Sequence, residues 1–486
     1  MRLWNYVVSL SPLRQLAVGF GAVVVVAVLV SGVRALVFFR VNGPETHEDI
    51  VEHFKYGSIG SEAAGGIPYW IWRVLPEVFA EHLPDKPGNG YERFGFIFEP
   101  GHDRPIGTSL RDQPISLIAV NCAACHTGTV RTSATAQPVV ILGMPAQQLD
   151  FLAYQRFLIA AAQDERFDGD TLVSAIERIN PDFSRFDSLL YRYYIIPRLK
   201  SEILDRYEDF RFLDERPDWG PGRVDTFSPY KVHFGFDMSK DTTIGTADLP
   251  TLWNQRVREG LALHWDGNND SLAERNISAA LGAGAEESSL DHPSLQRVAD
   301  WILDLPPPPF PGTVDATLAA AGRTIYEQQC ASCHVPGREK VGRVEPLSII
   351  GTDPEREHSF SQALADKMNT YGEGYPWRFS HFRDTDGYAN APLDGVWLRA
   401  PYLHNGSVPT IRDLLRPPEQ RPKVFYRGGD LYDLDNLGFV SSGPEAERNG
   451  FRYDTSEPGN GNGGHVYGTS LNEDQIRALI EYLKTQ

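Results

Sequence analysis

The sequence predicts a mainly α chain. It has two helical modules in tandem, a long helical insertion in the first, loop-rich segments, and one apolar helix ahead of both. Three observations carry this reading. The pattern C-x-x-C-H occurs twice, as NCAACHTG and QCASCHVP, and uses every cysteine of the chain: Cys122, Cys125, Cys330 and Cys333. Each half closes on an amphipathic stretch, SLQRVADWILDL at 294–305 and LNEDQIRALIEYLKTQ at the end. Between the halves lies PPPPFPG, a stiff extended run that no helix crosses.

The elements follow in order. Residues 16–33 carry no charge, and the apolar run resumes after Arg34 as ALVFF. A run of about 23 such residues is long enough to cross a hydrocarbon core of roughly 30 Å. A cleaved secretory signal has a shorter apolar core and an A-x-A-like site, for which Val30-Ser31-Gly32 is a poor match. The expectation is therefore a short internal tail over 1–15 and a transmembrane anchor over 16–39, with a signal segment as the competing reading. Arg2 and Arg14 precede the span while Arg34 and Arg40 follow it, so charge does not orient it.

The first module is expected over 40–305. Its insertion, at about 148–245, contains helical runs rich in Tyr, Phe and Arg, placed to cover a bound group. The linker is 306–313 and the second module 314–486. In that module Asp315 caps a helix running into the second C-x-x-C-H. Asn472 caps the final helix, whose Ile476, Leu479, Ile480 and Leu483 form a stripe. Residues 420–470, rich in Gly, Asn, Tyr and Asp, form a long loop region; such loops are functional or serve as surface cover.

The cysteine spacing has a chemical explanation. Two thiols add to the two vinyl groups of a haem, and the next residue then lies under the iron as its proximal imidazole. His126 and His334 follow their cysteines at once. A zinc site or a dithiol redox pair would explain one copy, but not two copies that leave no orphan cysteine. The expectation is two covalently attached haem c groups in two class I cytochrome c-like domains. Such haems are attached outside the bacterial cytoplasmic membrane. This predicts a protein anchored in the inner membrane with its main body periplasmic.

Composition narrows the partners. Hydrophobic residues make up 41% and charged residues 23%, ordinary globular values. The net charge of −18 repels phosphate backbones, so nucleic acid is excluded as a partner. The charge either keeps a large soluble domain apart or offers an acidic face to a small basic redox protein.

A haem iron held by protein on both faces carries electrons, whereas an open face binds dioxygen or peroxide. Only Met1, Met144, Met238 and Met368 are present, so a distal Met is scarce. For the second haem the candidates are His404, His381, His465 and Met368. His404 is preferred, because it sits in the apolar turn APYLHNGS. The turn LHWDGN of the first half looks like the same slot, with Trp265 where the second half has His404. Indole donates but does not ligate iron. An open first haem is therefore expected, unless His264 or His233 closes it. If one does, both haems are six-coordinate and the protein is an electron carrier or a haem sensor.

Two C-x-x-C-H motifs, LHWDGNNDSL and RAPYLHNGSVPTIRDLL resemble the bacterial di-haem cytochrome c peroxidase and MauG superfamily. ERFGFIFE, HWDGN and GHVYGT are most similar to its rubber oxygenase, RoxA-like branch. The resemblance implies an N-terminal haem that reacts with peroxide or dioxygen and a six-coordinate C-terminal haem that relays electrons. It makes His126 and His334 proximal ligands, His404 the distal ligand of the second haem, and Trp265 an electron relay between haems. Peroxidases follow the WDG segment with a distal Gln and Glu. Here Arg275 takes the Gln position, and the nearest acids further on are Glu286 and Glu287. A peroxide mechanism needs a general acid–base, so this departure leaves oxygenase chemistry on an apolar alkene open. Phe234, Phe236, Leu249 and Trp253 are candidates to line such a pocket, or are simply core.

Overall fold

A computed structural model describes residues 44–112 and 115–486. The expected membrane helix is corrected: no helix among the described residues is long and apolar enough to cross a membrane. The run on which that expectation rested, 16–39, lies outside the described residues. The described residues therefore form helices and small sheets without a membrane-spanning helix, and the inner-membrane location predicted with it is withdrawn.

The largest apolar cluster joins the helix Tyr69–Val78 to the helices Phe151–Gln163, Gly169–Ile179 and Ile196–Phe210. Tyr154, Phe157 and Ala161 recur at helical spacing and are buried, which turns one face of Phe151–Gln163 inward. Asp150, Asp168 and Ser184 accept backbone N–H bonds at the starts of their helices and fix where each begins. Cys125 packs on the edge of this cluster, so the insertion walls one side of the first haem motif.

The second module is built on two helices. Ala316–Gln329 leads into the second C-x-x-C-H and crosses Glu473–Leu483, the closing helix. They cross at Gly322, where a methyl group would lie 1.9 Å from the carbonyl oxygen of Ala478. In the first module the helix packed against the closing helix His292–Leu303 is the short Ile50–Tyr56. It lies far ahead of Cys122 in sequence. The intervening chain forms a three-stranded antiparallel sheet in the order Ile67–Pro68, Leu117–Val120, Thr108–Arg111.

The expectation of a mainly α chain is qualified by that sheet and by five two-stranded sheets among the described residues. Most of their strands are two to four residues long, too short for an alternating pattern to register in sequence. Two of these sheets matter for the site. Arg223–Asp225 pairs with Thr246–Asp248, and Val344–Pro346 pairs with Gly387–Ala389.

The Pro-rich run 306–312 is non-helical and lies against the second module. Trp397 Nε1 donates to the Pro308 carbonyl at 3.1 Å, and Phe310 meets the Trp397 ring edge-on.

Candidate haem site

The two proximal imidazoles are held alike. His126 Nδ1 donates to the Pro250 carbonyl at 2.9 Å, and His334 Nδ1 donates to the Ala391 carbonyl at 2.8 Å. A carbonyl only accepts, so each Nδ1 carries the proton and each Nε2 is left bare, the form that binds a metal. Burial lowers the pKa of both rings, that of His126 to about 4, which keeps them neutral. Burial also raises the thiols, Cys122 to about 11 and Cys125 and Cys330 to about 12. No cysteine is in a disulfide.

The two carbonyls sit just past the ends of corresponding strands, Thr246–Asp248 and Gly387–Ala389. The turns LHWDGN and LHNGSV bridge these strands. Trp265 Nε1 donates to the Asp248 carbonyl at 2.8 Å, and its own carbonyl accepts from Ala389 N at 2.8 Å. The His404 carbonyl accepts from Asp248 N at 2.8 Å, and its ring stacks on Tyr388 with centres 4.0 Å apart.

The turns also share a backbone. Leu263 pairs with Asn269 and Tyr402 with Val408 in antiparallel bridges. His264 and Leu403 both have positive φ, 62° and 69°, and so do Gly267 and Gly406, 73° and 64°. The Gly positions require it, since a left-handed residue in a tight turn disfavours a Cβ. Trp265 and His404 therefore occupy the same position of the same turn, between the strands that end on the two proximal ligands.

His404 is not directed at His334. The Tyr388 hydroxyl donates to the Asp353 carbonyl at 2.7 Å and accepts from His404 Nε2 at 3.0 Å. His404 is 4% exposed, and burial beside Arg356 and Arg223 pushes its pKa well down. The imidazole facing His334 is His465, with ring centres 6.4 Å apart. Metal–imidazole bonds of about 2.0–2.1 Å put two rings on opposite faces of one metal with centres roughly 6 Å apart. His465 is neutral, lowered to about 4 chiefly by burial, and its Nδ1 is buried without a hydrogen-bond partner. This pair fits a haem iron ligated on both faces.

His126 has no such counterpart. Among the described residues no histidine ring pairs with it. His264 Nδ1 is bonded to Asn268 Oδ1, and its ring lies over Phe382. His233 stacks on Tyr371, His381 Nδ1 pairs with Asp270, and Met368 is buried in an aromatic cluster. Arg275 lies near enough to disfavour protonation of both His126 and His264. Its guanidinium donates to Gln255 and Asn276 and makes no ion pair among the described residues. Glu286 is exposed on a turn, and Glu287 accepts from Gly372 N. The buried acid is Glu274, fully engaged by Asn269, Ser380 and His381 N.

The expected apolar pocket divides. Phe234 and Phe236 pack with Phe227, Phe360, Phe379 and Phe382 beside the helix Leu272–Gly282. Leu249 and Trp253 belong to two other clusters. His465 was legible only as one of four candidates, three of them histidines. The signal available was its place in GNGNGGHVYGT, a glycine-rich run suited to carrying a residue into a tight position.

A family described as RoxA-like, cytochrome c-like matches residues 387–426, which include the strand Gly387–Ala389, Ala391 just past it and the His404 turn. The matched segment is similar to RoxA-like cytochromes, which supports a haem-binding, cytochrome-type protein with a c-type haem and its iron. Two proteins of Sinorhizobium fredii are similar to it. "Uncharacterized protein y4iJ" is 25% identical, over 82% of this chain and 81% of its own length. "Uncharacterized protein y4iM" is 32% identical, over 49% of this chain and 64% of its own length.

Proposed function

We propose that the chain is a di-haem c-type cytochrome oxidoreductase. Cys122, Cys125 and His126 would hold one haem; Cys330, Cys333, His334 and His465 would hold the other. The observation that carries the reading is the asymmetry of the axial positions: an imidazole opposite His334 and none opposite His126. When bound, haem supplies an iron that exchanges electrons and, on an open face, takes peroxide or dioxygen.

The chain's own residues then divide the work. Pro250 and Ala391 fix the proximal tautomers. Trp265 and His404 tie the two strands that end on those residues, a compact covalent and hydrogen-bonded route between the two proximal ligands. Trp265 is the oxidisable side chain on that route and serves as relay. Arg275 supplies positive charge beside the first haem, toward which a polarised oxidant is drawn.

A second reading concerns the substrate. Glu286 faces solvent and Glu274 is fully bonded, so no free carboxyl is ready to move a proton for peroxide cleavage. The departure from a distal acid leaves dioxygen chemistry on an apolar alkene as the second reading. The test is turnover of the holoprotein. Oxygen uptake with a polyisoprene and no peroxide-dependent oxidation of a reduced small cytochrome supports the oxygenase. The reverse supports a peroxidase. Inertness in both, with neither haem binding carbon monoxide, overturns the enzyme reading in favour of an electron carrier or haem sensor.

A further inference from the structure

The side chain of Arg421 is buried, 2% exposed, and makes no ion pair among the described residues. A buried charge is costly unless hydrogen bonds surround it. Arg421 spends all its donors on main-chain carbonyls. Nε donates to Arg416 at 3.2 Å. One terminal nitrogen donates to Asn462 at 2.7 Å and Gly464 at 2.8 Å. The other donates to Leu414 and His465, both at 3.2 Å. Three of these five acceptors lie within 462–465, the segment that delivers His465.

That segment needs holding. His465 has φ of 44°, a left-handed conformation disfavoured for a residue with a Cβ, and it follows Gly464 at 69°. Its N–H bonds to the Ile350 carbonyl at 2.8 Å, which fixes one side of the peptide plane. Upstream, Asn405 Nδ2 donates to Gly459 and Gly461 at 3.1 and 2.9 Å. On the side of Leu414 and Arg416 the bonds that draw the loop against the module come chiefly from Arg421, joined by Asn462 Nδ2, which donates to the Pro422 carbonyl at 2.9 Å. A guanidinium reaches five acceptors in a plane, whereas an ammonium has three donors and no fixed fork.

We infer that Arg421 is a positioning residue: it holds the loop 462–465 in the conformation that keeps His465 opposite His334, and so sets how tightly the second iron keeps its sixth ligand. The inference rests on His465 being that ligand, and the experiment separates the two.

In the reduced holoprotein, carbon monoxide replaces a protein imidazole only as fast as the imidazole leaves. The first haem, open, is expected to bind it fast and the second slowly. His465→Ala should abolish the slow phase and make both haems fast; a slow phase that persists in His465→Ala overturns the ligand assignment itself. Arg421→Met should keep the slow phase but accelerate it about tenfold or more, the factor for losing at least one charge-assisted bond, and leave the fast phase alone. Arg421→Lys should fall between wild type and Met. A slow phase unchanged in Arg421→Met, or equal shifts at both haems, overturns the role of Arg421 while leaving His465 in place. If Arg421→Met yields no holoprotein, Arg421→Lys decides alone: wild-type kinetics there overturn the inference.

Discussion

At the scale of single residues, the proposed proximal ligands are legible in the sequence because covalent chemistry fixes their spacing. Two thiols and an imidazole must sit within one turn, and a sequence can show that. The distal ligand was not legible, because its position depends on a loop folding back from far along the chain. His404 sits in a slot repeated in both halves, and that repeat is real in the backbone. What fills the slot serves the junction between the strands: an indole N–H in one copy, an imidazole bonded to Tyr388 in the other. His404→Ala is therefore expected to leave the second haem low-spin, whereas His465→Ala makes it high-spin in optical spectra. High-spin conversion by His404→Ala would return the ligand to that turn. Arg275→Gln should weaken binding of anionic ligands such as azide at the first haem and spare carbon monoxide, which carries no charge. Equal losses for both ligands would remove the electrostatic role.

At the scale of elements, the closing helices were read correctly from their stripes and caps. Asn472 makes the expected cap, with Gln475 returning the bond. The leading helix of the second module also begins at Asp315 as its sequence suggests. The small sheets escaped, since LIAV or VFYR alone does not declare a strand, and pairing partners far away decide it. In the first module the sheet Ile67–Pro68, Leu117–Val120, Thr108–Arg111 separates the short leading helix from its C-x-x-C-H. The crossing of the outer helices in the second module makes a sharp demand. Gly322→Ala drives a methyl group into the Ala478 carbonyl. It should destabilise that module by about 1–3 kcal/mol, the usual cost of overpacking, seen as earlier thermal loss of the second haem's spectrum. No change in melting would mean that the two helices shift apart freely.

At the scale of the whole molecule, two halves of unequal size converge on one junction. Each half runs from its thioether motif through a strand, a carbonyl that orients the proximal ring, a buried Trp (Trp253 or Trp397), and a left-handed turn. The strands of both halves meet at Trp265 and His404, which gives the molecule a short path between its two proximal ligands. The halves differ beside their motifs: one has a loop with His465 and the other has Arg275, while the aromatic cluster draws on both, Phe227 and Phe234 from the first and Phe360, Phe379 and Phe382 from the second. Sequence displayed the duplication through its motifs. It suggested an axial asymmetry through Trp265 and His404, whereas the asymmetry proposed from the structure rests on His465, whose place depends on where a long loop returns. Composition described the acidic surface but names no partner for it.

The measurement that bears most directly on this account is the electron paramagnetic resonance spectrum of the oxidised holoprotein, with iron counted per chain. Two irons, one high-spin and one low-spin of bis-imidazole type in equal amounts, is the result the account predicts. Two low-spin signals, or a single iron per chain, would contradict it.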